Sequence, residues 1–148
     1  MLLSKDYRLG KSFEELEVGA SLQITENIED KDLLLYLGLT NDSNPLYIQH
    51  EYAALTKYEK PIVPAIMLNG IVTSAISKYL PGPGSYVSAI QLNYPTPMYH
   101  NETLQMHLQI ISKREDTRDI IIRIEGKNQS EEVVIYGDVT VLPPTKLV

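Results

Sequence analysis

An uncharged, apolar stretch near the middle of the chain constrains its fold more than any other feature. Residues 61–77 read PIVPAIMLNGIVTSAIS and contain no Asp, Glu, Lys or Arg. A helix that lacks a polar face is one that other elements surround. The stretch is short for a membrane span and is interrupted by Pro64, Asn69 and Gly70. It therefore predicts a long helix buried within a folded domain.

Sequence patterns before and after this stretch predict antiparallel strands. The segment ETLQMHLQI alternates apolar and polar residues, as a strand with one buried face does. The segments DIIIRIE and EEVVIYGDVTVL continue the pattern, and LQITENI predicts an earlier strand that follows a glycine turn. The side chains expected on the buried faces are Leu22, Ile24, Ile28, Leu104, Met106, Leu108, Ile110, Val133, Ile135, Val139 and Val141.

Two short helices are predicted between the first strand and the uncharged stretch. In EDKDLLLYLGLTND, Asp30 can cap a helix whose apolar side carries Leu33, Leu34 and Leu37. QHEYAALTKYE predicts the second helix, and LPGPGS ends the long one. This order predicts an α+β class with a curved antiparallel sheet wrapped around the long helix. With 148 residues and no linker or repeat, the chain is expected to form a single domain over residues 1–148.

Charge and composition exclude several classes of function. The formal net charge is −6 and there is no basic run, which disfavours binding to nucleic acids or membrane surfaces. The chain has no cysteine, so disulfides, thiolate metal sites and thiol nucleophiles are excluded. His50, His100 and His107 lack metal-binding spacing, and no metal site is expected. The N-terminus turns charged after a few residues, which argues for a cytoplasmic protein without a signal peptide.

The loop TNDSNPLY, residues 40–47, is the strongest candidate for a functional site. Asp42 stands at its centre among small polar residues, and Pro45 stiffens the chain behind it. Two interpretations of Asp42 are open from the residues alone. Asp-Ser-Asn-Pro is a good Asx-turn sequence, in which the aspartate only caps the next turn. Alternatively, the loop presents the carboxylate as a reactive group.

This loop resembles the S/T-G-D-x-N-P-x-H signature of the MaoC-like hydratases, which include the (R)-specific enoyl-CoA hydratases. Other segments resemble the family in the same order: FEELEVG before the first strand, KPIVPAIML at the long helix, YLPGPGS after it and LNYPTPMYHNETL before the later strands. The resemblance covers about residues 13–143. It implies the hotdog fold and a homodimer or higher homo-oligomer in which subunits pair side by side and share an acyl tunnel.

The resemblance also implies a reaction. The family adds water to trans-2-enoyl thioesters of CoA or acyl-carrier protein, giving (R)-3-hydroxyacyl thioesters, and catalyses the reverse dehydration without a cofactor. Asp42 matches the aspartate of the signature, and Asn44 and Pro45 match its Asn-Pro. Tyr47 stands at the position of the histidine, and Asn41 stands where glycine is usual.

In this family a backbone amide near the start of the long helix binds the thioester oxygen. Pro64 and Ala65 stand here where His-Gly is common, and Ile66 follows them in the substrate-binding region. Ala65 retains the necessary N–H, which the helix dipole assists, but alanine has less backbone freedom than glycine. The apolar residues Ile66, Met67 and Ile71 are candidates for lining an acyl tunnel, with ordinary core packing as the alternative.

The tyrosine at position 47 changes the expected chemistry. A tyrosine hydroxyl has a reference pKa of about 10, so at neutral pH it donates hydrogen bonds and is a poor base. Asp42 is therefore the expected base, while Tyr47 holds the water or donates a proton. His50 is the obvious substitute base, but it falls in the first turn of a predicted helix and is expected to face solvent.

Two functions remain open. The first is a hydratase or dehydratase of acyl thioesters. The second is a hotdog subunit that binds acyl thioesters, or completes the tunnel of a partner, without catalysis; the missing histidine is the feature expected of such a subunit. A hotdog thioesterase is disfavoured because residues 61–77 contain no carboxylate. A hotdog transcription regulator is disfavoured because the sequence has no basic helix-turn-helix segment.

Overall fold

A long helix and a five-stranded sheet form the framework of the chain. The computed structural model describes residues 9–145, so most of the charged N-terminal stretch that argued against a signal peptide lies outside the described residues. In chain order the elements are β1 (Ser21–Asn27), α1 (Asp30–Thr40), α2 (Pro45–Ile48), α3 (His50–Ala54), α4 (Ala65–Lys78), β2 (Tyr86–Asn93), β3 (Thr103–Arg114), β4 (Asp119–Lys127) and β5 (Val133–Leu142).

Neighbouring strands of the sheet all run antiparallel, in the spatial order β1-β3-β4-β5-β2. The sheet stays open, with β1 and β2 at its two edges. Helix α4 packs on the sheet, and the three short helices connect β1 to α4. This α+β architecture is the hotdog fold that the resemblance implied. Within residues 9–145, no helix is long and apolar enough to cross a membrane.

The hydrophobic core lies between α4 and the sheet. Every second residue along the first two-thirds of β3 is buried, which confirms the predicted alternation. One stripe of α4, at helical spacing, reaches the same core. Burying a large aliphatic side chain contributes about 1.5–3 kcal/mol, so these contacts hold the helix on the sheet. The buried residues are Leu104, Met106, Leu108 and Ile110 of β3 and Leu68, Val72, Ala75 and Ile76 of α4.

The long helix begins later than predicted and is buried along one side. Residues 61–64 precede it in a non-helical conformation, and the Val63 N–H donates to the Met98 carbonyl at 2.7 Å. The helix starts at Ala65, after a proline at the N-cap. Ile66 is 57% exposed. The expectation that other elements surround the helix is therefore wrong for the isolated chain, since its other side faces a cleft.

Helix α1 also differs from its prediction. The Glu29 N–H donates to the Asp32 carboxylate at 2.9 Å, and the helix begins at the next residue. Asp30 is therefore the first helical residue rather than the cap. Leu33 is buried as predicted, but Leu34 is 69% exposed. The local sequence did not distinguish the buried leucine from the exposed one, because adjacent positions on a short helix can each border its apolar face.

A β-bulge changes the buried face of β5. Gly126 pairs with Ile135 and Lys127 pairs with Val133, so Val134 is the extra residue. Val134 and Ile135 are both buried, whereas Val133 is only partly buried. The predicted alternation in β5 is therefore correct for its second half and wrong at Val133.

Candidate active site

The loop at residues 40–47 begins with a left-handed residue that ends α1. Asn41 has a φ of 56°, and its N–H donates to the Leu37 carbonyl at 2.8 Å. Glycine adopts this conformation most readily, and asparagine is among the few other residues that tolerate it. Asn41 therefore meets the same backbone requirement as the glycine that the resemblance leads one to expect.

Asp42 is partly buried, and both of its carboxylate oxygens accept hydrogen bonds. The Asn44 N–H donates to Oδ1 at 3.1 Å, which is the Asx turn considered from the sequence. The Tyr36 hydroxyl donates to Oδ2, also at 3.1 Å. This second bond comes from α1 and is no part of the turn. Because a carboxylate offers about four lone-pair sites, Asp42 retains acceptor capacity for a further donor such as water.

Asn44 is the N-cap of α2, and Tyr47 lies within this helix. The Asn44 Oδ1 atom accepts a hydrogen bond from the Leu46 N–H at 3.0 Å, so this side chain caps the helix. Pro45 occupies the first helical turn, where its missing N–H costs nothing. Tyr47 is partly buried, and in the part of the chain that the structure describes no hydrogen bond joins it to Asp42.

Tyr47 and Ala65 line one cavity of about 430 Å³. Ala65 is the first residue of α4, so its N–H has no acceptor within the helix and lies at the positive end of the helix dipole. Its φ is not left-handed, and the lost freedom of glycine therefore costs nothing at this position. Pro64, also predicted for the site, is buried and precedes the helix as its N-cap.

An apolar cleft of about 540 Å³ lies between α1, β1 and α4. Tyr36 lines this cleft, and its hydroxyl contacts Asp42. The cleft and the site loop therefore meet at Tyr36. Ile66, Met67 and Ile71, the candidates for lining an acyl tunnel, all line the cleft from α4.

Sequence reasoning missed Tyr36. Burial, followed by the hydrogen bond to Asp42, raises the pKa of Tyr36 above its ordinary value of 10.0. The hydroxyl therefore remains a protonated donor at neutral pH. The signal that could have found it is a tyrosine in the second half of a short helix, six residues before the aspartate of the following loop.

His50 and His100 share a further cavity, of about 410 Å³, with Tyr47. His50 is exposed at the start of α3, as predicted. Both ring nitrogens of His100 are shielded from solvent. Burial lowers the pKa of His100 below its ordinary value of 6.5, although the nearby Asp30 charge opposes part of the shift. No sequence pattern indicated that these ring nitrogens are shielded.

The fold and the loop geometry agree with one protein family. The sequence matches the family described as MaoC like domain over residues 13–134, which is most of the chain. The chain belongs to the MaoC-like family. Within the 13–134 match lie the Asx turn at Asp42, helix α2 and the N-terminus of α4.

Several proteins resemble this MaoC-like chain over most of its length. An (R)-specific enoyl-CoA hydratase from Rhodospirillum rubrum is 25% identical over 148 residues, covering 97% of this chain and 99% of that protein. A mitochondrial 3-hydroxyacyl-[acyl-carrier-protein] dehydratase from Arabidopsis thaliana is 30% identical, covering 87% of this chain and 78% of that protein. The unliganded R-hydratase structure from Pseudomonas aeruginosa gives a TM-score of 0.84 at 25% identity, covering 94% of this chain and 92% of the other.

Proposed function

We propose that this MaoC-like protein interconverts trans-2-enoyl and (R)-3-hydroxyacyl thioesters carried by CoA or acyl-carrier protein. The observation that carries the proposal is the Asp42 carboxylate, held by the Tyr36 hydroxyl beside an apolar cleft. The names of the relatives support it, since they describe an enoyl-CoA hydratase and a 3-hydroxyacyl dehydratase. The reaction needs only water and groups that the chain itself supplies.

In the hydration direction Asp42 acts as the base. It takes a proton from water while the water oxygen bonds to C3 of the enoyl group and the C2=C3 electron pair moves towards the thioester carbonyl. The N–H of Ala65, at the positive end of α4, donates to the oxygen on which negative charge develops. Protonated Asp42 then returns its proton to C2 as the carbonyl re-forms. The net change is the addition of one water, and the carboxylate is regenerated.

Tyr47 is assigned the role of holding the attacking water. Its side chain lines the same cavity as Ala65, so a hydroxyl donor and the helix N-terminus face one space. A tyrosine hydroxyl cannot share the work of the base at neutral pH. Losing one acid/base partner typically costs about 10² to 10⁴ in rate, so we expect slower turnover than a histidine at this position would allow.

The acyl chain of the substrate is proposed to occupy the apolar cleft. Ile66, Met67 and Ile71 line it from α4, while Leu35 and Leu39 line it from α1. A concave, largely apolar space beside a few polar groups is the usual form of a small-molecule site. Tyr36, whose hydroxyl holds the proposed base, lines the same cleft, which supports this assignment.

A homodimer is the smallest proposed assembly. Strand β2 lies at an edge of the sheet, so its outer backbone groups pair with no other strand of the sheet. Its side chains Tyr86 and Ile90 are 66% and 40% exposed. A second copy that pairs along β2 would cover both the edge and these side chains.

A second candidate function is that of a silent subunit, which binds acyl thioesters or completes the tunnel of a catalytic partner. The observation that favours it is Tyr47, because this residue replaces the expected histidine and forms no hydrogen bond with Asp42 within residues 9–145. The cleft and the helix N-terminus serve binding in this case, and the partner supplies the base.

The experiment that separates the two functions follows the enoyl absorbance when the purified chain is mixed with crotonyl-CoA. We expect turnover by the wild type and a loss of at least about 10²-fold in Asp42→Asn, because the amide cannot act as the base. Asp116→Asn is the matched control, since Asp116 is exposed in the turn between β3 and β4. Tyr47→His is expected to raise the rate.

Other outcomes would contradict the proposal in different ways. A silent wild type with an active Tyr47→His variant would mean a competent scaffold that lacks its base. Silence in both, with crotonyl-CoA still bound in equilibrium dialysis, would favour the silent subunit. Equal turnover in the wild type and in Asp42→Asn would remove Asp42 from the mechanism.

A further inference from the structure

We propose that Tyr36 is a positioning residue, whose hydroxyl orients the Asp42 carboxylate for activation of water and whose ring forms a wall of the acyl cleft. This inference rests on the proposed function of the same site. It adds a residue outside the signature loop, supplied by the helix that precedes the loop.

The contact is built by the last turns of α1. The Thr40 hydroxyl donates to the Tyr36 carbonyl at 2.8 Å, and the Asp42 N–H donates to the same hydroxyl oxygen at 3.3 Å. The backbone of Asp42 is thereby connected to the turn that carries Tyr36. The Tyr36 hydroxyl makes a second connection by donating a hydrogen bond to Oδ2 of Asp42.

The two hydrogen bonds on Asp42 have different consequences for its carboxylate. The Asn44 N–H holds Oδ1 through the local turn, which alone leaves the carboxylate able to rotate about the Cβ–Cγ bond. The Tyr36 hydroxyl holds Oδ2 from a separate element. Two donors on different oxygens define the carboxylate plane, so the remaining lone pairs have a fixed direction. A base must point at the proton that it takes, and positional errors of this kind are costly in catalysis.

Tyr36 also connects the base to the proposed acyl-binding region. Its side chain lines the cleft together with Ile66 and Gly70 of α4. A chain that fills the cleft therefore contacts the ring whose hydroxyl holds the base. In this arrangement the same residue positions the base and limits where the substrate lies.

Other titratable groups surround this contact. Tyr47 of α2 lies close enough to contribute to the raised pKa of Tyr36. Four more line the cleft from the elements packed around it: Glu26 of β1, Asp32 of α1, Lys78 of α4 and Tyr79 directly after it. None of these four forms a hydrogen bond with Tyr36 or Asp42 within residues 9–145, so the test can isolate the pair.

The test compares Tyr36→Phe with the wild type in two measurements. The first is kcat/KM for crotonyl-CoA as a function of pH. The variant keeps the ring but removes the donor to Oδ2 of Asp42, so we expect the acidic limb to move to higher pH and kcat/KM below it to fall about tenfold. Tyr52→Phe is the matched control, because the Tyr52 side chain is exposed on α3. The control should leave both the limb and the rate unchanged.

The second measurement does not depend on turnover. The carboxyl carbon of Asp42 is followed by ¹³C NMR and assigned by its disappearance in Asp42→Asn. We expect its chemical shift to change in Tyr36→Phe, because the hydrogen bond to Oδ2 is lost. If that variant does not fold, the reciprocal experiment replaces it: Asp42→Asn should lower the titration midpoint of the Tyr36 ring.

The two measurements separate the failure of this inference from that of the proposed function. An inactive wild type in which Tyr36→Phe still shifts the Asp42 carboxyl signal would refute the hydratase proposal and support the Tyr36–Asp42 contact. An active wild type with an unmoved carboxyl signal and an unmoved acidic limb would overturn the inference. A loss of activity in Tyr36→Phe with no change in the acidic limb or in the carboxyl signal would also overturn it, because a general structural effect would then suffice.

Discussion

Gly70 lines the cleft proposed to hold the acyl chain, and its replacement is the sharpest test of substrate binding there. The residue lies in the middle of α4 and lines the cleft. A Cβ atom built at this position meets no other atom within 4 Å. The Cβ of Gly70→Leu therefore meets no steric conflict, and we expect the rest of the side chain to extend into the cleft that Gly70 lines.

The expected effect can be worked out from the carbon atoms that the new side chain displaces. A leucine side chain takes the place of about four carbons of a bound acyl chain, and each buried methylene contributes about 0.8 kcal/mol. Loss of all four contacts corresponds to about 3 kcal/mol, or about 100-fold in kcat/KM. Glycine within a helix costs about 0.5–1 kcal/mol relative to better helix formers, so the substitution should not destabilise the fold.

The assay is kcat/KM for crotonyl-CoA and for trans-2-octenoyl-CoA, whose acyl groups differ by four carbons. We expect Gly70→Leu to lose about 100-fold on octenoyl-CoA and little on crotonyl-CoA. Gly38→Leu is the matched control, because Gly38 lies in α1, is exposed, and also has no atom within 4 Å of a built Cβ. If the ratio of kcat/KM for octenoyl-CoA to kcat/KM for crotonyl-CoA is the same in the wild type and in Gly70→Leu, binding of the acyl chain in this cleft is refuted.

Two further predictions concern stability and assembly. Burial lowers the pKa of His100, so the unfolded chain binds a proton more readily than the folded chain. The contribution of His100 to the free energy of unfolding should be fully present above about pH 6.5 and be lost as the pH falls through the lowered pKa. The loss is about 1.4 kcal/mol for each unit by which the pKa is lowered. Urea unfolding from pH 7.5 to 5 should show a shallower decline in His100→Gln than in His107→Gln, and equal declines would contradict this. Light scattering should give at least twice the chain mass for the wild type and a smaller mass for Ile90→Lys on β2. Leu55→Lys, at the exposed end of α3, is the control and should leave the mass unchanged. A purely monomeric wild type would exclude the proposed assembly.

Most of the fold was predictable because its signals are local. The alternation in β3 depends only on which side of one strand each residue occupies, and all four predicted core residues there are buried. The prediction failed where a neighbouring strand intervenes. The bulge that buries Val134 arises from the pairing of β5 with β4, and the sequence of β5 alone does not predict it.

The boundaries of the long helix show a similar division. The uncharged stretch correctly predicted a helix, but Val63 instead donates to Met98, a residue distant in sequence. That hydrogen bond and the bias of a residue before proline against helical backbone both favour the non-helical conformation of Val63. The exposure of Ile66 also depends on which elements pack beside α4, and helical periodicity does not specify those elements.

The candidate site also combines features that follow from local sequence with features that depend on tertiary packing. The Asx turn could be predicted from local sequence, because aspartate, asparagine and proline side chains act on neighbouring backbone groups. The structure contains that turn, and Asn44 also caps α2. Tertiary packing brings Tyr36 to Asp42, forms the cleft between α1 and α4, and shields the ring nitrogens of His100 from solvent. These features depend on the angle at which α1 leaves the loop and on the packing of distant segments. Such geometry is set by the sum of many weak long-range contacts, which a local sequence pattern does not record.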